Sequence, residues 1–182
     1  MIRLFVALPI DLEIRRRLAE LGGTIPGGRP VPEDQIHLTL RFIGEVDAAV
    51  FHDVREQLHG LTAGPLQLTV KGTGHFPPRG NPRVVWAGIE PAGQVIILRN
   101  RVNAILSACG IAPEQRKFHP HITLARLRNC SPKRVADFLA GNALLQSPEF
   151  TVDRAHLYSS RLTADGAIHR LEGSYPLEGN RS

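Results

Sequence analysis

The sequence predicts one domain of alternating strands and helices in which a β-α-β-α-β unit is used twice. The chain has 182 residues, 42% of them hydrophobic and 21% charged. That is enough to bury a core without disulfides, and it is far from the composition of a disordered chain. Apolar residues recur with period two in some segments and at helical spacing in others, and the two patterns alternate along the chain. The tetrapeptides HLTL at 37–40 and HITL at 121–124 lie 84 residues apart, and the elements around them recur at the same offset.

Taken in order, residues 2–8 are β-branched and aromatic enough for a strand. Asp11 can cap a helix whose apolar face is Ile14, Leu18 and Leu21. The Gly- and Pro-rich stretch 22–32 reads as a loop. Residues 36–43 form the second strand. A helix over 47–61 aligns Val50, Val54, Leu58 and Leu61, residues 66–70 alternate as a strand, and 72–82 reads as a loop. The second half repeats the order with a strand at 84–89 and a helix carrying Val95, Leu98, Val102, Ile105 and Cys109, ended by Gly110. A loop at 112–117 leads to a strand at 121–125. Ser131 and Pro132 supply a cap and a first helical residue, and residues 150–157 and 167–171 are the last strands. The 84-residue offset relates the helix starts at 11 and 95, the helices around 54 and 138, and the strands at 66 and 150. The whole chain, 1–182, is therefore expected to be one domain, with an HLTL half over about 1–80 and an HITL half over about 82–175.

Charge and cysteine content bound the function. No run approaches 18 apolar residues and no cleavage pattern follows the first strand, so neither a membrane span nor a signal peptide is expected. Cys109 and Cys130 form no metal or disulfide pattern and suit a reducing, cytoplasmic compartment. The net charge is +5, and 19 of the 22 basic residues are Arg, the side chain that forks two donors onto a phosphate. Between Arg99 and Arg134 eight basic residues face one acid, Glu114. Such a field suits a polyanionic ligand, although a coding preference for Arg or a solvated helix face gives the same count.

The doubled motif carries the chemistry. Strand alternation puts His37 and Thr39 on one face and Leu38 and Leu40 on the other, and does the same for His121 and Thr123 against Ile122 and Leu124. If the halves are related by a two-fold axis, two imidazoles and two hydroxyls can surround one small anion. One imidazole can accept a proton while the other donates one, and the hydroxyls can hold non-bridging phosphate oxygens, so phosphodiester cleavage needs no metal or other cofactor. A metal site built from His37, His119 and His121 is the rival, but no HExxH, acidic ligand set or cysteine cluster accompanies it. His52, His59, His75, His156 and His169 read as surface or core residues. Arg41 shares the parity of His37 and can reach a phosphate. Arg126 has the opposite parity unless the strand bulges. Phe42, Phe76, Phe118 and Tyr158 are candidates to stack a base, with core packing the alternative for each.

The segments HLTLRF at 37–42 and FHPHITLAR at 118–126, with RLFVALP at 3–9, PRVVWAGIE at 82–90 and LYSSRL at 157–162, resemble the bacterial and archaeal RNA 2′,3′-cyclic phosphodiesterases. These are also called 2′-5′ RNA ligases and belong to the 2H phosphoesterases. The resemblance spans residues 3–171. It implies a bilobal α+β fold with two pseudo-two-fold-related lobes whose largely antiparallel sheets face a central cleft. It also implies hydrolysis of an RNA 2′,3′-cyclic phosphate end to a 2′-phosphomonoester. In that role His37 would donate a proton to the departing 3′ oxygen, His121 would activate water, and Thr39 and Thr123 would hold the phosphate. The expected partner is RNA ending in a 2′,3′-cyclic phosphate, with no metal, cofactor or membrane, and the protein is expected to be a monomer. Alternatives keep the same site for 2′-5′ oligonucleotides or small cyclic nucleotides, including reversible 2′-5′ joining, or make the chain a non-catalytic RNA-binding domain.

Overall fold

The computed structural model describes residues 1–179; residues 180–182, the end of the expected domain, lie outside the described residues. The first half runs β1 (Ile2–Pro9), α1 (Leu12–Gly23), β2 (Gly28–Pro30), β3 (His37–Val46), α2 (Ala48–Gln57) and β4 (Leu66–Phe76). The second runs β5 (Val84–Glu90), α3 (Ala92–Ala108), β6 (His121–Leu127), α4 (Pro132–Gly141) and β7 (Phe150–Val152), followed by the hairpin β8 (Arg154–Thr163) and β9 (Gly166–Pro176). Local signals set several boundaries. The Asp11 carboxylate accepts from the backbone N–H groups of Glu13 and Ile14 at 3.0 and 3.3 Å, closing the start of α1. Pro132 occupies the first turn of α4.

Four expectations change. The loop at 22–32 contains β2, which pairs with β6. The strand at 66–70 continues to Phe76 through part of the expected loop, with a register shift between Val70 and Thr73 where Gly72 takes a φ of 71°. The strand at 150–157 divides into β7 and β8, which lie at different places in the sheet. Ser131 precedes α4, but its side chain makes no capping hydrogen bond.

The strand order is β7-β4-β5-β6-β3-β1-β8-β9, antiparallel throughout, with β2 attached to β6. At the centre β3 meets β6 through a single register pair, Leu38 with Ile122. These two residues are equivalent at the 84-residue offset. An antiparallel pairing of equivalent residues places a local two-fold axis between them, and four strands extend from it on each side. The lobes are therefore not the sequence halves. The fourth strand of each half crosses over: β4 of the first half pairs with β5, and β8 of the second pairs with β1. Hydrophobic alternation predicts a strand but does not say which neighbour it will choose.

The helices cover the sheet face that carries Leu38, Leu40, Ile122 and Leu124, each at most 1% exposed. Val54, Val95, Leu98, Val102 and Val135 from α2, α3 and α4 pack into this core. Burying each such side chain contributes about 1.5–3 kcal/mol. The opposite face of the central strands is left for polar groups. Because β4 completes the other half's lobe, a fragment of residues 1–80 should fail to fold alone. Its amide NMR spectrum is expected to be collapsed, and a dispersed spectrum would show that the crossing strand is dispensable.

Candidate active site

On the open face, His37 and Thr39 of β3 and His121 and Thr123 of β6 are half-buried, and the residues between them are fully buried. Continuing the antiparallel register from Leu38 and Ile122 sets His37 across from Thr123 and Thr39 across from His121. Both His-x-Thr pairs thus flank the seam on one face, one from each half.

Each motif strand then contains a bulge at the equivalent residue. On β3, Thr39 pairs with Ala7 and Arg41 with Val6, leaving Leu40 as the extra residue. On β6, Thr123 pairs with Trp86 and Ala125 with Val85, leaving Leu124 extra. The extra residue reverses the side-chain alternation beyond it. Arg41, placed by strict alternation beside His37, instead lies on the helix-covered face at 5% exposure. It donates there to the Ala112 carbonyl, to Asn103 Oδ1 at 3.4 Å and to the Phe42 carbonyl at 3.1 Å, so it is not a phosphate contact. Its equivalent, Ala125, is buried too. The same reversal brings Phe42 and its equivalent Arg126 to the face that carries His37 and His121. Phe42 is 58% exposed, with its ring 5.8 Å from Phe5. Arg126 is exposed, and its charge acts on His37, His121 and His169 together.

The two histidines have different surroundings. His37 stacks on Phe5 with ring centroids 5.1 Å apart, and Phe5 stacks on Tyr158 at 5.2 Å. The β8–β9 hairpin folds over this side. The Gln35 side-chain amide donates to the Ala167 carbonyl at 2.6 Å, and His169 meets His37 edge-on at 5.8 Å and Phe5 at 4.9 Å. Burial, reinforced by His169 and Arg126 against a backbone hydrogen bond to Gln35, lowers the His37 pKa to about 4. His121 is lowered as well, first by burial, then by His119 and Arg126, with a backbone hydrogen bond opposing. That bond joins His121 Nδ1 to the His119 carbonyl at 2.6 Å. A carbonyl only accepts, so Nδ1 carries the proton and Nε2 of the neutral ring keeps its lone pair. Gln35 and His119 are themselves equivalent at the 84-residue offset.

Phe76 meets His121 edge-on at 4.9 Å, and Trp86 lies beside both. Trp86 rests on Gly74, where a Cβ would overlap the indole. His119 packs on Trp86 at 4.8 Å. Among the described residues no three His, Cys, Asp or Glu side chains gather as a metal site would require. Phe118 lies away from the catalytic face under the Arg99 guanidinium, 5.1 Å from ring centroid to carbon. Sequence reasoning assigned no role to His169 or Trp86. The short turn at 164–165 between β8 and β9 was the available signal for a hairpin that brings His169 and Tyr158 toward His37.

Residues 10–164 match the family described as the 2′-5′ RNA ligase superfamily. The chain belongs to that superfamily. It is 34% identical over 172 residues to the RNA 2′,3′-cyclic phosphodiesterase of Archaeoglobus fulgidus, covering 92% of this chain and 96% of that one. It is 32% identical over 183 residues to the Thermotoga maritima protein of the same name, covering 97% and 96%. Among solved structures it is similar to TT0787 of Thermus thermophilus, with a TM-score of 0.82, 30% identity, and coverage of 98% and 100%. It is also similar to E. coli LigT complexed with 3′-AMP, with a TM-score of 0.78, 26% identity, and coverage of 97% and 98%. The fold is thus the bilobal α+β architecture of these 2H phosphoesterases. Among the described residues no helix is long and apolar enough to cross a membrane.

A lowered His37 pKa means that the folded chain resists a proton which the unfolded chain accepts near pH 6.5. The folded state should therefore lose stability as the pH falls from about 6.5 through about 4. Denaturation midpoints measured across this range should show the loss, and His37→Asn should make it shallower. An unchanged slope would contradict the burial of His37.

Proposed function

We propose that this protein hydrolyses RNA 2′,3′-cyclic phosphate ends to 2′-phosphomonoesters without a metal, using His37 and His121 as acid and base. The observation that carries this reading is the convergence of the two His-x-Thr pairs across the two-fold seam, with Arg126 on the same face. The relatives named RNA 2′,3′-cyclic phosphodiesterase support the substrate class.

In this reading His121 Nε2 accepts a proton from the attacking water while its Nδ1–H stays on the His119 carbonyl. The water oxygen bonds to phosphorus, the bond from phosphorus to the 3′ oxygen breaks, and His37 gives that oxygen a proton. The phosphate remains on the 2′ oxygen. Thr39 and Thr123 donate to the non-bridging oxygens, and the Arg126 guanidinium offsets their charge. His37 has to carry a proton for this step, yet its burial favours the neutral ring. An entering phosphate supplies the negative charge that raises its proton affinity, so the acid is charged mainly when substrate is present. The exposed Phe42 ring beside the His37 stack offers a face for the terminal base.

His37→Ala and His121→Ala should each lower kcat/KM on a cyclic-phosphate-ended RNA by at least about 10²-fold. Circular dichroism should be unchanged and chelators should have no effect; full activity in either variant, or chelator loss restored by zinc, would refute the mechanism. The kcat/KM profile should be a bell centred below pH 6.5, because both free-enzyme pKa values are lowered. The basic limb of kcat should lie at higher pH than that of kcat/KM, because bound phosphate supports the charged His37. Coincident limbs would contradict this coupling.

A further inference from the structure

Arg29 and Arg126 are register partners in the β2–β6 pair, so both side chains leave the same face one strand apart. Like charges directly opposite each other on a sheet are destabilising, and a bound anion relieves that repulsion. Among the described residues no carboxylate forms an ion pair with either guanidinium. Arg29 is instead held by a neutral acceptor: its Nη2 donates to the backbone carbonyl of Asp165 at the tip of the hairpin over His37. This contact fixes the side chain without neutralising it and leaves its other donors available. The close approach of β2 to β6 is built in at Gly28, where a Cβ would lie 3.2–3.3 Å from Ile25 and Ala125. Arg128, also exposed, continues the cationic line beyond Arg126. Two guanidiniums without an ion-pair partner, one pinned at the hairpin tip and one acting on both motif histidines, fit two successive phosphates better than one.

We propose that Arg29 binds the phosphodiester on the 5′ side of the terminal nucleotide, while Arg126 faces the cyclic phosphate, so that the site selects oligonucleotide ends over mononucleotides. This rests on the cyclic-phosphate reading above and adds a substrate class to it. A 2′,3′-cyclic mononucleotide lacks that second phosphate and cannot use Arg29.

The test compares kcat/KM for a trinucleotide ending in a 2′,3′-cyclic phosphate with that for the corresponding cyclic mononucleotide. The wild-type protein should prefer the trinucleotide, and Arg29→Gln should lower the ratio of the two values about tenfold. Arg29→Lys should retain part of the preference. The log–log salt slope for binding a 3′-phosphorylated trinucleotide, read by fluorescence anisotropy, should shrink by about 0.7 in Arg29→Gln. An equal fall on both substrates would show that Arg29 only pins the hairpin, and an unchanged ratio would show that it does nothing for the substrate; either overturns the proposal while leaving the two-histidine reading intact. Wild-type protein that turns over neither substrate would defeat that reading instead, and the anisotropy comparison would still decide whether Arg29 contacts RNA phosphate.

Discussion

The pairing of Leu38 with Ile122 joins the lobes through one antiparallel contact between equivalent residues. Everything distinctive about the site depends on it. The two buried side chains anchor the central strands edge to edge, and strand alternation then obliges the flanking His and Thr of both halves to rise on the opposite side. A slip of one residue at this seam would exchange the two His-x-Thr pairs for leucines and isoleucine. The crossing of β4 and β8 into the opposite lobes ties the halves together around the same contact. The face that carries both His-x-Thr pairs is therefore built by both halves together.

The symmetry of the backbone is combined with asymmetry in what surrounds it. The equivalent bulges at Leu40 and Leu124 turn the residues beyond them over, so that one half presents Phe42 where the other presents Arg126. An exposed aromatic ring and a cation thus occupy matching places. The β8–β9 hairpin adds a second difference, bringing Tyr158 and His169 to His37 and to the Phe5 ring on which it stacks. His121 keeps its place between Phe76 and Trp86, with its tautomer fixed by the His119 carbonyl. The proposed division of the two histidines into acid and base rests on such differences in environment.

Much of this was legible in the sequence because it is local or repeated. Strand alternation around His37 and His121, the Asp11 cap and the 84-residue offset each appear within a few residues or by comparing two short segments. The misplacement of Arg41 has a definite origin. Alternation holds until an extra residue enters, and the partners that receive Arg41, Asn103 and Ala112, lie far away in sequence. The conditional reading of Arg126 identified the physics that mattered without locating the bulge. His169 was passed over because no equivalent histidine exists in the other half, and only the curl of the hairpin brings it to His37. Arg29 was likewise hidden in a stretch whose Gly and Pro content reads as loop, although three of its residues pair with β6.

The central claim is that the two histidines, equivalent in backbone, divide into an acid and a base. It is tested most directly by hydrolysis of a p-nitrophenyl phosphodiester, whose leaving group needs no proton. His37→Ala should recover most of wild-type kcat on this substrate relative to its loss on the cyclic phosphate, while His121→Ala should remain impaired on both. Equal impairment of the two variants, or recovery in His121→Ala alone, would contradict the division of roles.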